Sequence, residues 1–179
     1  MKQKRQKSEL REWVEAILIT VVIAVLLRSY VFVFAKVDGT SMEDTLHNGD
    51  RLLVSKITYH LSEPQYGDIV IIDVTQSIDD YVKRIIGKPG DTVEIKNSTV
   101  YRNGIALNEP YLTPGLEYND FSKVTVPEGC YFVLGDNRPV SKDSRYSDVG
   151  FIKKDKIDGK IVFRIWPFND FNSPYKISE

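Results

Sequence analysis

Tyr81-Val82-Lys83-Arg84-Ile85-Ile86, joined through Gly87 to Lys88-Pro89-Gly90-Asp91, is the stretch on which the fold turns. The apolar run around Lys83 and Arg84 reads as a β-strand. The tetrapeptide after it fits a type II turn, with Pro at i+1 and Gly at i+2. Thr92–Lys96 and Thr99–Arg102 continue as strands, and Asn103-Gly104 before Ile105–Leu107 is a strong hairpin signal. Upstream lie Arg51–Lys56 and Asp68–Asp73. Downstream lie Val124–Val126, Tyr131–Leu134 and Lys160–Trp166. Short strands between turn signals predict a mainly β body. Residues 108–123 read as loop, and a brief helix is predicted around Lys153–Ile157. The predicted organisation is a β core from residues 31–91 and 130–179, with residues 92–129 inserted as a small cap.

Ahead of this body the chain changes character. Lys2, Lys4, Arg5, Lys7 and Arg11 crowd the start, and Ala16 to Leu27 is broken only by Thr20. The Ile, Leu and Val residues there favour insertion into lipid by ~0.3–0.6 kcal/mol each. Ile17 to Leu27 has no polar face, which argues against a buried soluble helix. A cleavable leader would need a small-x-small exit, whereas Ser29-Tyr30-Val31-Phe32-Val33-Phe34 is bulky. The segment therefore predicts an uncleaved transmembrane helix over residues 13–30. The basic tail, residues 1–12, would lie in the cytoplasm and the body outside the cell membrane. Tyr30, Phe32 and Phe34, alternating with Val31 and Val33, suit a strand leaving the lipid surface. Trp166, Pro167, Phe168 and Phe171 could join them in an interfacial belt, or could equally pack as core.

A formal net charge of −1 offers no global field for nucleic acid, so no nucleic-acid partner is expected. The lone Cys130 excludes an internal disulfide and reads as a small hydrophobe. The two histidines and one cysteine show no metal-ligand spacing, and neither metal nor cofactor is expected.

The chemistry begins at Val37-Asp38-Gly39-Thr40-Ser41-Met42, where a serine sits in a Gly-containing turn. Alone, such a serine is a turn residue. Lys83 is the second signal: in a strand a lysine ordinarily marks the solvent face, but burial would let it act as a base. At its reference pKa a lysine must overcome about 4.6 kcal/mol to be neutral at pH 7. Burial without a counter-ion removes most of that deficit. Arg84 should then point to the opposite face. The third signal is Gly135-Asp136-Asn137-Arg138 through Ser141-Lys142-Asp143-Ser144-Arg145, which supplies hydroxyls and charged pairs to orient an amine.

These motifs, in this order after an apolar N-terminal segment, resemble a type I signal peptidase of the Gram-positive kind. The matches are Gly39-Thr40-Ser41-Met42 with Thr45-Leu46, Gly67-Asp68-Ile69-Val70, the Lys83 strand with its turn, and the Gly135–Arg145 loop. The resemblance implies a membrane-anchored serine endopeptidase that removes signal peptides from exported preproteins. It implies an antiparallel β catalytic core resting on the lipid bilayer. Ser41 would be the nucleophile and Lys83 the general base, with Ser141 orienting the amine. Asp143, Arg145 and Arg84 would form a supporting ion-pair cluster, and Met42 would line the substrate site. Small side chains one and three residues before the cut would be preferred. Two positions depart from the family pattern. Asp44 stands where proline is usual, and Gly39 stands where some members carry a hydroxyl, so only the Ser41 N–H is assigned as an oxyanion donor.

The rival enzymes are a Ser-His-Asp hydrolase using His47 or His60 and a repressor-type self-cleaving Ser-Lys regulator. The first lacks Gly-x-Ser-x-Gly; the second would carry a DNA-binding head. The alternative outside enzymes is a membrane-tethered, non-catalytic β binding module.

Overall fold

The structure is a computed structural model that describes residues 9–43, 45–74 and 80–168. Asp44, Phe171 and the first eight residues lie outside the described residues. α1 (Glu9–Tyr30) is a 22-residue helix. Among the described residues no helix is long and apolar enough to cross a membrane. The strand predicted to follow is present as β1 (Phe32–Lys36).

The body is mainly β, with antiparallel pairing throughout. β2 (Arg51–Ser55), β3 (Ile69–Ile72), β4 (Tyr81–Gly87), β9 (Cys130–Leu134), β10 (Ile152–Lys153) and β11 (Ile157–Trp166) join β1 in a seven-stranded sheet. Its order is β1-β2-β11-β3-β4-β9-β10. A second sheet, ordered β7-β6-β5-β8, is built wholly between residues 92 and 125. Its strands are β5 (Thr92–Lys96), β6 (Thr99–Arg102), β7 (Ile105–Ala106) and β8 (Phe121–Thr125). Asn103 and Gly104 both take positive φ, the backbone that a two-residue hairpin turn requires. Gly90, at φ +86°, occupies the position that a type II turn reserves for glycine, and Asp91 N–H donates to Lys88 O.

Several elements differ from the sequence expectation. A helical turn, α2 (Thr58–Leu61), follows β2; it is held by buried Tyr59, whose hydroxyl donates to Asp68 at 2.8 Å. The helix expected around Lys153–Ile157 is only a 3-10 turn, Lys154–Lys156, between β10 and β11. β11 starts at Ile157 because Ile157 and Gly159 pair with Ile72 and Ile71 of β3; Gly159 also lets β2 come close, since a Cβ there would lie 2.7 Å from Val54 and 2.9 Å from Ser55 O. β8 starts at Phe121, paired with Ile95 across a register shift, so the loop expected over 108–123 ends earlier.

Three apolar clusters fill the body. β3 is buried along its whole length: Val70 and Ile72 pack with Ile85 and Val133, while Ile69 and Ile71 pack with Met42, Leu46 and Leu52. Phe132 and Leu134 pack with Val93, Ile95 and Val100 of the second sheet. β4 is an interior strand of the large sheet, between β3 and β9, and its side chains from Lys83 onward are buried. This is how the fold dries Lys83.

Candidate active site

The loop between β1 and β2 forms a ring. Val37 N–H donates to Asp50 O, and Gly49 N–H donates to Val37 O, which pins the two ends together. Inside it, Gly39 at φ +100° turns the chain, and a short helical turn brings Thr45 N–H and Leu46 N–H onto Met42 O. Met42 and Leu46 are buried as plugs, leaving Ser41 half-buried at the surface between them and the cleft. No hydrogen bond among the described residues uses the Ser41 N–H.

Lys83 reaches this ring from β4. Its Nζ lies 2.8 Å from Ser41 Oγ and 3.0 Å from Val82 O. The residue is only 2% exposed. Burial draws its pKa down from the ordinary value to about 8, against the pull of the Asp143 and Asp136 carboxylates. No carboxylate forms a salt bridge with it among the described residues. An amine of this kind is neutral far more often than an ordinary lysine, and a neutral amine beside a hydroxyl can take its proton.

Arg84, the next residue, leaves β4 on the other side, as strand alternation demands. It is buried and clasps Asp136 with two bonds, Nε to Oδ1 at 2.9 Å and Nη2 to Oδ2 at 2.6 Å. Thr45 Oγ1 donates to the same carboxylate at 2.5 Å. Asp143 is instead clasped by Arg145, at 2.7 and 2.9 Å, and also accepts the Gly135 N–H. The expected cluster of Asp143, Arg145 and Arg84 thus consists of two separate pairs, with Asp136 the missing partner. Both carboxylates favour the charged form of Lys83 through space, and the Arg145 guanidinium opposes them.

Ser141 is fully buried, and its Oγ has no hydrogen-bond partner among the described residues. No bond joins it to Lys83, although it is close to the nucleophile turn. A Cβ on Gly135 would lie 2.1 Å from Ser141 Oγ and 2.4 Å from Ser41 O. The loop reaches the turn directly as well: Asn137 N–H donates to Ser41 O at 3.1 Å and its amide donates to Thr40 O at 3.0 Å. Asn137 and Arg138 carry no sequence signal beyond their place in the Gly135–Arg145 motif.

In front of Ser41 lies an open cleft of about 340 Å³, walled by the apolar Ala35, Val37, Met42, Ile71 and Val82 together with Lys36, Asp38, Asp80 and Tyr81. His47 and His60 are exposed, and no hydrogen bond among the described residues joins either ring to Ser41. Among the described residues no group of three or more His, Cys, Asp or Glu side chains could hold a metal ion.

Comparison with known proteins finds relatives over most of the chain. The model of the family described as signal peptidase, peptidase S26, matches residues 10–166. Signal peptidase I of Bacillus licheniformis is 46% identical, over 94% of this chain and 95% of its own length. Signal peptidase I T of Bacillus subtilis is 44% identical, over 93% and 91% respectively. A crystal structure of a signal peptidase I from Enterococcus faecalis is 40% identical at a TM-score of 0.49, covering 55% of this chain and 97% of that one. With a family model spanning most of its length and relatives this similar end to end, the chain belongs to the signal peptidase, peptidase S26, family.

Proposed function

We propose that this chain is a serine endopeptidase that cleaves signal peptides from exported preproteins, with Ser41 as nucleophile and Lys83 as general base. The observation that carries the assignment is the 2.8 Å approach of a 2% exposed lysine amine to a hydroxyl at the edge of an open cleft. A neutral amine has one lone pair and two N–H groups. The lone pair faces the Ser41 hydroxyl, and one N–H goes to Val82 O. The remaining N–H is the natural partner for the buried, unpartnered Ser141 hydroxyl, which would fix the amine's rotation.

The reaction is acyl transfer. Lys83 takes the Ser41 proton as Oγ attacks the scissile carbonyl, and the ammonium returns it to the leaving amine. Water, deprotonated by the same amine, then attacks the acyl-enzyme carbonyl and releases Ser41. The Ser41 N–H is the donor proposed for the oxyanion. Met42 and the apolar walls of the cleft suit small side chains in the residues before the cut.

The proposal extends to the membrane. Trp13, Ile17, Leu18, Ile19 and Val21 on α1 are all more than half exposed, which water would penalise and lipid would not. Residues 13–30 span about 27 Å as helix, close to the ~30 Å hydrocarbon core. With the basic tail held in the cytoplasm, the β body would sit outside the cell membrane. Residues 92–129 would be a cap on the core.

The test is purified chain with an Ala-x-Ala signal-peptide substrate. Ser41→Ala and Lys83→Ala should each lose at least about a thousandfold in kcat/KM while folding normally. Lys83→Arg should fail too, since a guanidinium keeps its proton. Near-normal cleavage by any of the three would refute the dyad. Covalent labelling of Ser41 by a serine-acylating reagent separates this reading from a tethered binding module.

A further inference from the structure

Two buried arginines beside the site are met from outside the large sheet, by the loop that follows β7. Arg138 has a side chain with 0% exposure, and its guanidinium lies 2.6 and 3.1 Å from the Glu109 carboxylate oxygens. Its Nη1 is also 3.1 Å from the Tyr118 hydroxyl. Tyr111 donates its hydroxyl to Glu109 at 2.6 Å and lays its ring 3.8 Å from the Arg84 guanidinium. One short loop therefore supplies both the counter-charge of Arg138 and a face for Arg84.

From Arg138 the bonds run into the nucleophile turn. Its Nε donates to Gly135 O at 3.0 Å, and its own carbonyl accepts from Arg145 at 2.7 Å. The residue before it, Asn137, holds the carbonyls of Ser41 and Thr40. Arg138 is too deeply buried to touch a peptide in the cleft, so whatever it contributes to the reaction passes through the backbone it grips.

We propose that Glu109 is a positioning residue for the hydrolysis: by holding Arg138 it fixes the Gly135–Ser141 loop, and through Asn137 the placement of Ser41 against Lys83. The proposal rests on the dyad assigned above. A guanidinium is a rigid, planar donor that cannot shed its charge. Deprived of its carboxylate in a dry site it must find another acceptor, and the loop carbonyls it already holds move with it. A shift approaching 1 Å at reacting atoms is enough to cost about a hundredfold in rate. The loop after β7 thereby sets active-site geometry while standing outside the cleft.

The experiment compares the full chain in detergent micelles with Ser41→Ala, Glu109→Gln, Glu109→Asp and Tyr118→Phe. kcat and KM on an Ala-x-Ala signal-peptide substrate are measured separately, alongside thermal unfolding. Glu109→Gln should lower kcat about 10- to 100-fold with KM within about threefold, and Glu109→Asp should recover part of the loss. An unchanged kcat with a lower melting temperature would reduce Glu109 to adhesive and overturn the proposal. A raised KM at constant kcat would also overturn it, since it would place Glu109 on the peptide. Should Glu109→Gln fail to fold, Glu109→Asp carries the test: it keeps the charge but shortens the reach to Arg138 and should lower kcat about two- to fivefold, whereas Tyr118→Phe, which keeps the ion pair, should not. Wild-type kcat in Glu109→Asp would then overturn the proposal. Activity in Ser41→Ala would sink the dyad itself, whereas an inert Ser41→Ala beside a fully active Glu109→Gln would sink only the positioning role.

Discussion

Lys83 is the residue at which sequence, burial and proposed chemistry meet. With its pKa drawn down to about 8, roughly one molecule in ten carries a neutral amine at pH 7. The kcat/KM profile should accordingly rise with pH and level off above an acid limb near pH 8. A profile flat from pH 6 to 9 would mean that some other group is the base. The same shift has a stability sign. Between pH 8 and 10.5 the unfolded chain binds the lysine proton and the folded one does not, so this residue's contribution favours folding increasingly as pH rises through that window. Below it the cost of burying the amine is complete, about 3 kcal/mol. The identity of Ser41 and Lys83 as candidates was legible because each stood in a motif. The pairing of Arg84 with Asp136 was not: strand alternation told where Arg84 points, and nothing in the one-dimensional pattern told which of two aspartates in one loop it would meet.

At the scale of elements, Thr92–Lys96 and Thr99–Arg102 fall where the sequence placed them, because local turn chemistry at Asn103-Gly104 and Pro89-Gly90 fixes their ends. The elements that escaped notice depend on distant partners. α2 has only four residues and no side-chain cap, and it is held from Asp68. β10 has two residues and exists because β9 is beside it. Phe121–Lys123 shows no clean alternation and is a strand through its pairing with β5. The Gly135–Arg145 loop is the element with least tolerance. Gly135→Ala would drive a methyl to 2.1 Å from Ser141 Oγ and 2.4 Å from Ser41 O, and the second of these is backbone. Overpacking of that kind typically costs about 1–3 kcal/mol. We expect the variant to unfold at a lower denaturant concentration and to lose at least about a hundredfold in kcat. Wild-type kinetics would show that the loop can move away without disturbing Ser41.

At the scale of the whole molecule, one exposed apolar face is the candidate for the proposed lipid contact. Phe32, Phe34, Phe163, Trp166 and Phe168 are all exposed at 39% or more, and Trp166 and Phe168 stack edge to face with centroids 4.8 Å apart. They lie on β1, on β11 and just past its end, with α1 leading into the same edge of the sheet. If this face rests in the headgroup region, Trp166 fluorescence in a Trp13→Phe variant should be quenched at least about twofold by brominated lipids in reconstituted vesicles. Quenching equal to that in plain buffer would turn the face toward water.

The order of the large sheet has a temporal consequence. β11 is inserted between β2 and β3, so within the large sheet the strands after the Ser41 turn and the strand that carries Lys83 are bridged by a strand more than a hundred residues downstream of Ser41. Contacts separated so far along the chain form late. A partly synthesised copy would hold Ser41 and Lys83 but lack the strand that splints their halves of the sheet, so on the proposed mechanism the two would not yet be aligned.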